Sequence, residues 1–185
     1  MNFVRHYNLE GKHAFLGASK CSWLNYDDQK LATVFSNELA KQRGTELHDL
    51  ASRLINLKVK LPANKKTLNN FVNDAIGFKM ESELPLYYSD NCFGTADAIS
   101  FRNGKLRIHD LKTGETATHI EQLMIYAALF CLEYKTKPED IEIELRIYQC
   151  DEIKVLEPNA DDIRAIMEKI IKFDKIINSI KYEES

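Results

Sequence analysis

The stretch Cys92 to Gly114, CFGTADAISFRNGKLRIHDLKTG, constrains this chain more than any other. Asn103-Gly104 is what a two-residue type I′ turn demands, because both of its central residues take φ > 0. Apolar residues alternate on either side: Phe93, Ile99 and Phe101 before the turn, Leu106 and Ile108 after it. The pattern predicts a β-hairpin. With Arg102 paired to Lys105, each outward step keeps the register, and Asp97 meets Asp110. Counted from the turn this is a non-hydrogen-bonded pair, with Cα atoms about 4.5 Å apart. Period-two alternation puts Lys112 on the same face as Asp110.

Two facing carboxylates repel, so positive charge is expected between them. Lys112 supplies one unit. A divalent cation would supply the rest, and a hard cation such as Mg²⁺ takes oxygen ligands. Two readings of the hairpin stay open at this point. Either it holds a metal with a lysine beside it, or one Asp pairs with Lys112 while the other faces solvent.

The flanking sequence supplies layers for this hairpin. Upstream, Leu31, Val34, Phe35 and Leu39 form one helical stripe, and Leu47, Leu50, Ala51, Leu54 and Ile55 a second. Gly44-Thr45 lies between them, as a break or a point of close packing. His48 sits at the edge of the second stripe. A further helix starts at Thr67 or Asn69, with Leu68, Phe71, Val72, Ala75 and Ile76 inward. Glu81 to Ser89 alternates as a first strand, and Pro85 puts it at an edge or a strand start. After the hairpin, Thr118 caps a predicted helix to about Tyr134, apolar on most sides, with Gln122 and Tyr126 one turn apart. Ile141 to Gln149 and Ile153 to Leu156 read as strands, and an amphipathic helix follows Asn159. This order predicts an α/β layer arrangement around a mixed sheet, the helix after the hairpin serving as a crossover between parallel strands.

At 185 residues, residues 1–185 are read as one domain. A charged fraction of 29% with few Gly and Pro argues against long disorder. The net charge of −3 does not advertise nucleic-acid binding, although metal-site carboxylates lower that sum. No basic-then-apolar leader and no apolar run of about 20 residues is present, so a cytoplasmic location without membrane contact is expected. Cys21, Cys92, Cys131 and Cys150 are scattered, without a Cys-x-x-Cys pair. They read as buried reduced thiols rather than zinc or iron–sulfur ligands.

Four features stand in line: His48 on a helix, Gly94-x-x-Asp97, Asp110-x-Lys112, and Gln122-x-x-x-Tyr126. In this order the chain resembles the PD-(D/E)XK nuclease superfamily, and within it the RecB-like and phage-type exonucleases, from Gly44 to Tyr126. The resemblance implies a restriction-endonuclease-like core with a central mixed sheet of four to five strands flanked by helices. It implies a Mg²⁺- or Mn²⁺-dependent deoxyribonuclease, exonuclease rather than endonuclease, in recombination, repair or phage DNA processing. If phage-encoded, it would work in the host cytoplasm. Asp97, Asp110, His48 and the backbone carbonyl of Leu111 would hold one or two ions. Lys112 would position or help deprotonate the attacking water. Gln122 and Tyr126 would orient the substrate strand or support Lys112, and Gly94 would let substrate backbone come close. With no four-cysteine cluster, no iron–sulfur cluster is expected. The alternatives are a non-catalytic DNA-binding or scaffold module that keeps the fold, and a nuclease subunit active only with a helicase or recombinase partner.

Overall fold

In a computed structural model of the chain, which describes residues 4–115 and 119–183, the hairpin turn is as the sequence requires. Asn103 and Gly104 take φ of 51° and 74°. β2 (Cys92–Arg102) and β3 (Lys105–Leu111) pair antiparallel from Arg102↔Lys105 to Ala98↔His109. β1 (Glu81–Ser89) lies antiparallel outside β2, an edge position that accommodates Pro85. α3 (Glu121–Glu133) crosses over to β4 (Glu142–Gln149), which runs parallel to β3, and β5 (Glu152–Leu156) closes the other edge antiparallel to β4. The sheet order is β1-β2-β3-β4-β5. The protein is therefore α/β, with a five-stranded mixed sheet flanked by helices. The Thr118 cap falls outside the described residues.

Each sheet face has its own core. On one, Leu106 and Ile108 of β3 and Ile143, Leu145 and Ile147 of β4 pack with Leu123, Ala127 and Ala128 of α3. The last helix, α4 (Ala160–Glu183), adds Ile163 to this cluster. On the other face, Ala98, Leu111 and Tyr148 pack with Ala51 and Ile55 of α1 (Asp28–Leu57) and with Phe71, Val72 and Ala75 of α2 (Thr67–Gly77). Alternation along β4 is clean, since Ile143, Leu145 and Ile147 face one cluster and Tyr148 the other.

The chain divides into two compact units, residues 1–43 and 44–185, with the boundary inside α1. In the first, two short 3₁₀ turns, Tyr7–Leu9 and Cys21–Asn25, precede the helix, and Phe15 meets Phe35 edge-on at 5.0 Å. The apolar stripe read here from the sequence is largely open: Leu31, Phe35 and Leu39 are exposed. Helical spacing of apolar residues reports a face, and only packing partners can bury it. In the second unit, Gly44 does not break α1. A Cβ there would lie 2.9 Å from Thr113 Oγ1, so the glycine marks close packing. Of the second stripe, Ala51 and Ile55 are buried while Leu47 and Leu50 are exposed.

The four cysteines are free, but only Cys131 is buried. Cys21 and Cys150 are exposed and Cys92 is half-buried, which corrects the expectation of buried thiols. Among the described residues no helix is long and apolar enough to cross a membrane.

Burial sets the expected cost of substitutions. Ile108 is fully buried against α3, and Ile108→Ala should cost about 2–5 kcal/mol. Leu57, at the exposed end of α1, should tolerate Ala within about 0.5 kcal/mol. Urea unfolding of both variants checks this.

Candidate functional site

The β2–β3 ladder stops one step short of Asp97 and Asp110. There the backbone acceptor is replaced: Leu111 N–H donates to Asp97 Oδ2 at 2.8 Å. On its other side β3 stays paired with β4 to Leu111↔Tyr148, and Lys112 N–H still reaches Tyr148 O at 2.9 Å. The regular cross-strand Asp97–Asp110 pair expected from the turn is thus corrected to an opened ladder end held by a carboxylate.

The alternation slips at the same place. Ala96 and Ile99, three residues apart, both pack in the α3-side core, while Ala98 packs with α1 and α2. In an unbroken strand, residues three apart would face opposite ways. β1 slips with its neighbour. Leu84 packs on the α3 side, whereas the Ser82 hydroxyl meets Ser52 of α1 at 2.9 Å. Between them Glu83 takes a left-handed φ of 53°. The pairs Ser82↔Ala98 and Leu84↔Ala96 bracket it, so Glu83 falls opposite Asp97.

Three side chains converge at this irregularity. His48 Nδ1, on α1, lies 3.4 Å from Asp97 Oδ2. Donor atoms of His48, Glu83 and Asp97 all lie within 4.8 Å of one another, close enough to share one cation. Glu83 is the residue that sequence reading missed. Counting back from Ser89↔Cys92 across the Asp90-Asn91 turn would put Leu84 opposite Asp97; a register shift between Tyr87 and Ser89, which the sequence does not signal, brings Glu83 there instead.

Asp110 heads a second group. Its carboxylate is buried, and Lys112 Nζ donates to Oδ1 at 3.1 Å. The ammonium is also 3.0 Å from Oδ2, but without the alignment of a hydrogen bond, so that buried oxygen accepts none. Lys112 in turn donates to Gln122 Oε1 at 2.9 Å, and Gln122 Nε2 donates to the Tyr126 hydroxyl at 3.1 Å. The structure therefore brings Asp110, Lys112, Gln122 and Tyr126 into one chain of hydrogen bonds. Gly94 belongs here for a specific reason: a Cβ on it would meet Tyr126 Cε1 at 2.8 Å. The close approach it permits is that of the tyrosine ring.

The two groups feel each other. Burial, and then the Asp97 charge, push the Asp110 carboxyl above its usual range, against the pull of Lys112 and His48. Burial and Asp97 raise Glu83 in the same way. The hydrogen bond to Asp97 raises His48 against its own desolvation. Three carboxylates thus share a pocket of charge with one lysine and one histidine.

Residues 73–178 match the family described as "Protein of unknown function (DUF2800)". The chain belongs to that family. The matched span carries Glu83, Gly94, Asp97, Asp110, Lys112, Gln122 and Tyr126, while His48 lies before it. No solved structure matches this DUF2800 chain.

The raised His48 has a sign that can be worked out. Folding favours its protonated form, so this contribution is complete below the unfolded value of about 6.5 and fades as pH rises through the higher folded value. Without metal, the urea midpoint should fall as pH rises past the unfolded value of about 6.5, and His48→Gln should flatten that fall. Paired denaturation curves in chelator measure it.

Proposed function

We propose that this chain is a divalent-metal-dependent DNA nuclease that hydrolyses phosphodiester bonds, acting as an exonuclease in recombination, repair or phage DNA processing. The observation that carries the reading is the buried Asp110 carboxylate. Both of its oxygens lie near the Lys112 ammonium, but only Oδ1 accepts a hydrogen bond from it, and Oδ2 is left without one beside the His48–Glu83–Asp97 group. A buried, under-satisfied carboxylate oxygen is costly unless something binds it. A purely structural ion pair would gain more by satisfying both oxygens.

The residues fit a hard divalent ion. Carboxylate oxygens from Asp97 and Asp110 suit Mg²⁺ or Mn²⁺, and one imidazole from His48 makes Mn²⁺ the more acceptable. The Leu111 carbonyl would be a further oxygen ligand. Bound there, such an ion supplies Lewis-acid polarisation of the phosphoryl group and acidifies water.

The protein's own groups do the rest by position and charge, which matters because uncatalysed phosphodiester hydrolysis is extremely slow. The Asp97 carboxylate is fixed by the Leu111 N–H, so its orientation does not have to be paid for on binding. The Lys112 ammonium is held between Asp110 and Gln122. From there it can stabilise negative charge on the phosphoryl oxygens and orient the attacking water. Gln122, anchored on Tyr126, keeps the lysine from swinging out to solvent. The net negative charge of the whole chain does not oppose this role, since several of its carboxylates lie at this site.

End-labelled linear DNA, single- and double-stranded, incubated with the pure protein and Mn²⁺ or Mg²⁺ should be shortened from its ends. A closed circle of the same sequence should survive, and chelator should stop cleavage. Asp110→Ala and Lys112→Ala should each lose at least about 100-fold in rate with circular dichroism unchanged. Equal cleavage by wild type and both variants would reveal a contaminant. Binding of DNA without cleavage under any metal would make the chain a non-catalytic module. Cleavage only after a helicase or recombinase is added would make it a subunit of a larger machine.

A further inference from the structure

We propose that Glu83 is a cation ligand, presented by the left-handed kink of β1 and completing with His48 and Asp97 a binding position that the Asp97/Asp110 pair alone does not provide. This rests on the metal-dependent reading above and adds to it a residue outside the four sequence elements that suggested that reading.

Glu83 is placed at a cost. Left-handed backbone is uncommon for a residue with a side chain, and rarer within a strand. The kink moves the β1 alternation by one residue, as the matching slip does in β2. Both irregularities are centred on the Glu83/Asp97 position, where no regular cross-strand pair is formed. Such kinks re-aim side chains at strand edges and sites. Here the result is that a carboxylate comes within reach of His48 and Asp97.

Among the described residues only the nearby His48 charge offsets that placement. Among the described residues Glu83 has neither a hydrogen bond nor an ion pair, and it faces another carboxylate. The His48 imidazole is already engaged by Asp97. An independent observation points the same way. Asp110, 3% exposed and next to this group, keeps Oδ2 without an aligned hydrogen bond, although the Lys112 ammonium is 3.0 Å away. Glu83, Asp97 and Asp110 together outnumber the positive groups near them, Lys112 and at most a protonated His48. A divalent ion held by imidazole nitrogen and carboxylate oxygen balances that excess and uses a donor set that Mn²⁺ accepts readily.

The test is Mn²⁺ binding by the full chain, read by calorimetry and by the metal-induced rise in melting temperature, with no DNA present. Three variants are compared with wild type: Glu83→Gln, Glu83→Gly and Asp97→Asn. Glycine accepts φ of 53° without strain, so Glu83→Gly should melt without metal at or above the wild-type temperature. Both Glu83 variants should bind Mn²⁺ at least about tenfold more weakly and lose most of the metal-induced rise, as Asp97→Asn should. The proposal is overturned if either folded Glu83 variant binds Mn²⁺ within about twofold of wild type while Asp97→Asn does not. In that case the metal-dependent reading survives and the Glu83 role does not. If wild type itself binds no Mn²⁺, both fall together.

Discussion

One hydrogen bond organises this protein's candidate site: Leu111 N–H to the Asp97 carboxylate. In an ordinary ladder the next acceptor along β2 would be a backbone carbonyl. Using a side chain instead ends the pairing at Ala98↔His109 without leaving a buried N–H unsatisfied. The strands can then part where the acidic groups gather, and β3 remains held from its other side by β4. A carboxylate fixed by a backbone donor is also a better preorganised ligand than one free to rotate. The same bond therefore accounts for both the end of the sheet pairing and the aim of Asp97.

Around that bond the two faces of the sheet divide the work. The α1 side contributes His48 from a helix whose buried residues Ala51 and Ile55 anchor it in the core with Ala98 and Leu111. The α3 side contributes Gln122 and Tyr126 from a helix whose Leu123 and Ala127 pack on Leu106 and Ile108. Asp110 and Lys112 stand at the end of the central strand between them. Rigid packing on both sides matters because Lys112 has a long, flexible stem and would otherwise lose considerable rotamer freedom on being held. The relay through Gln122 to Tyr126, with Gly94 clearing room for the ring, restricts it.

Electrostatically the site is unbalanced as it stands. Asp110 and Glu83 both have carboxyls pushed upward by burial and by the Asp97 charge, which means that ionising all three together is unfavourable. A structural cluster selected for stability alone would be expected to add a cation or remove an acid. Keeping the excess, and bending two strands to concentrate it, is the physical basis for reading the site as one built to receive a positive ligand.

The sequence by itself determined the hairpin, its turn and its register as far as Ala98↔His109, because Asn-Gly and period-two alternation leave few alternatives. It also determined the crossover by α3, the parallel β3–β4 pair and the grouping of Lys112 with Asp110. Only the tertiary structure decided that Glu83 joins His48 and Asp97, since a left-handed residue in a strand breaks the alternation by which facing residues are inferred. It alone decided that Leu31, Phe35 and Leu39 stay exposed, because a helical period carries no information about what lies opposite. And it alone assigned Gly94 to Tyr126 and Gly44 to Thr113, since the approach of atoms distant in sequence is fixed by packing.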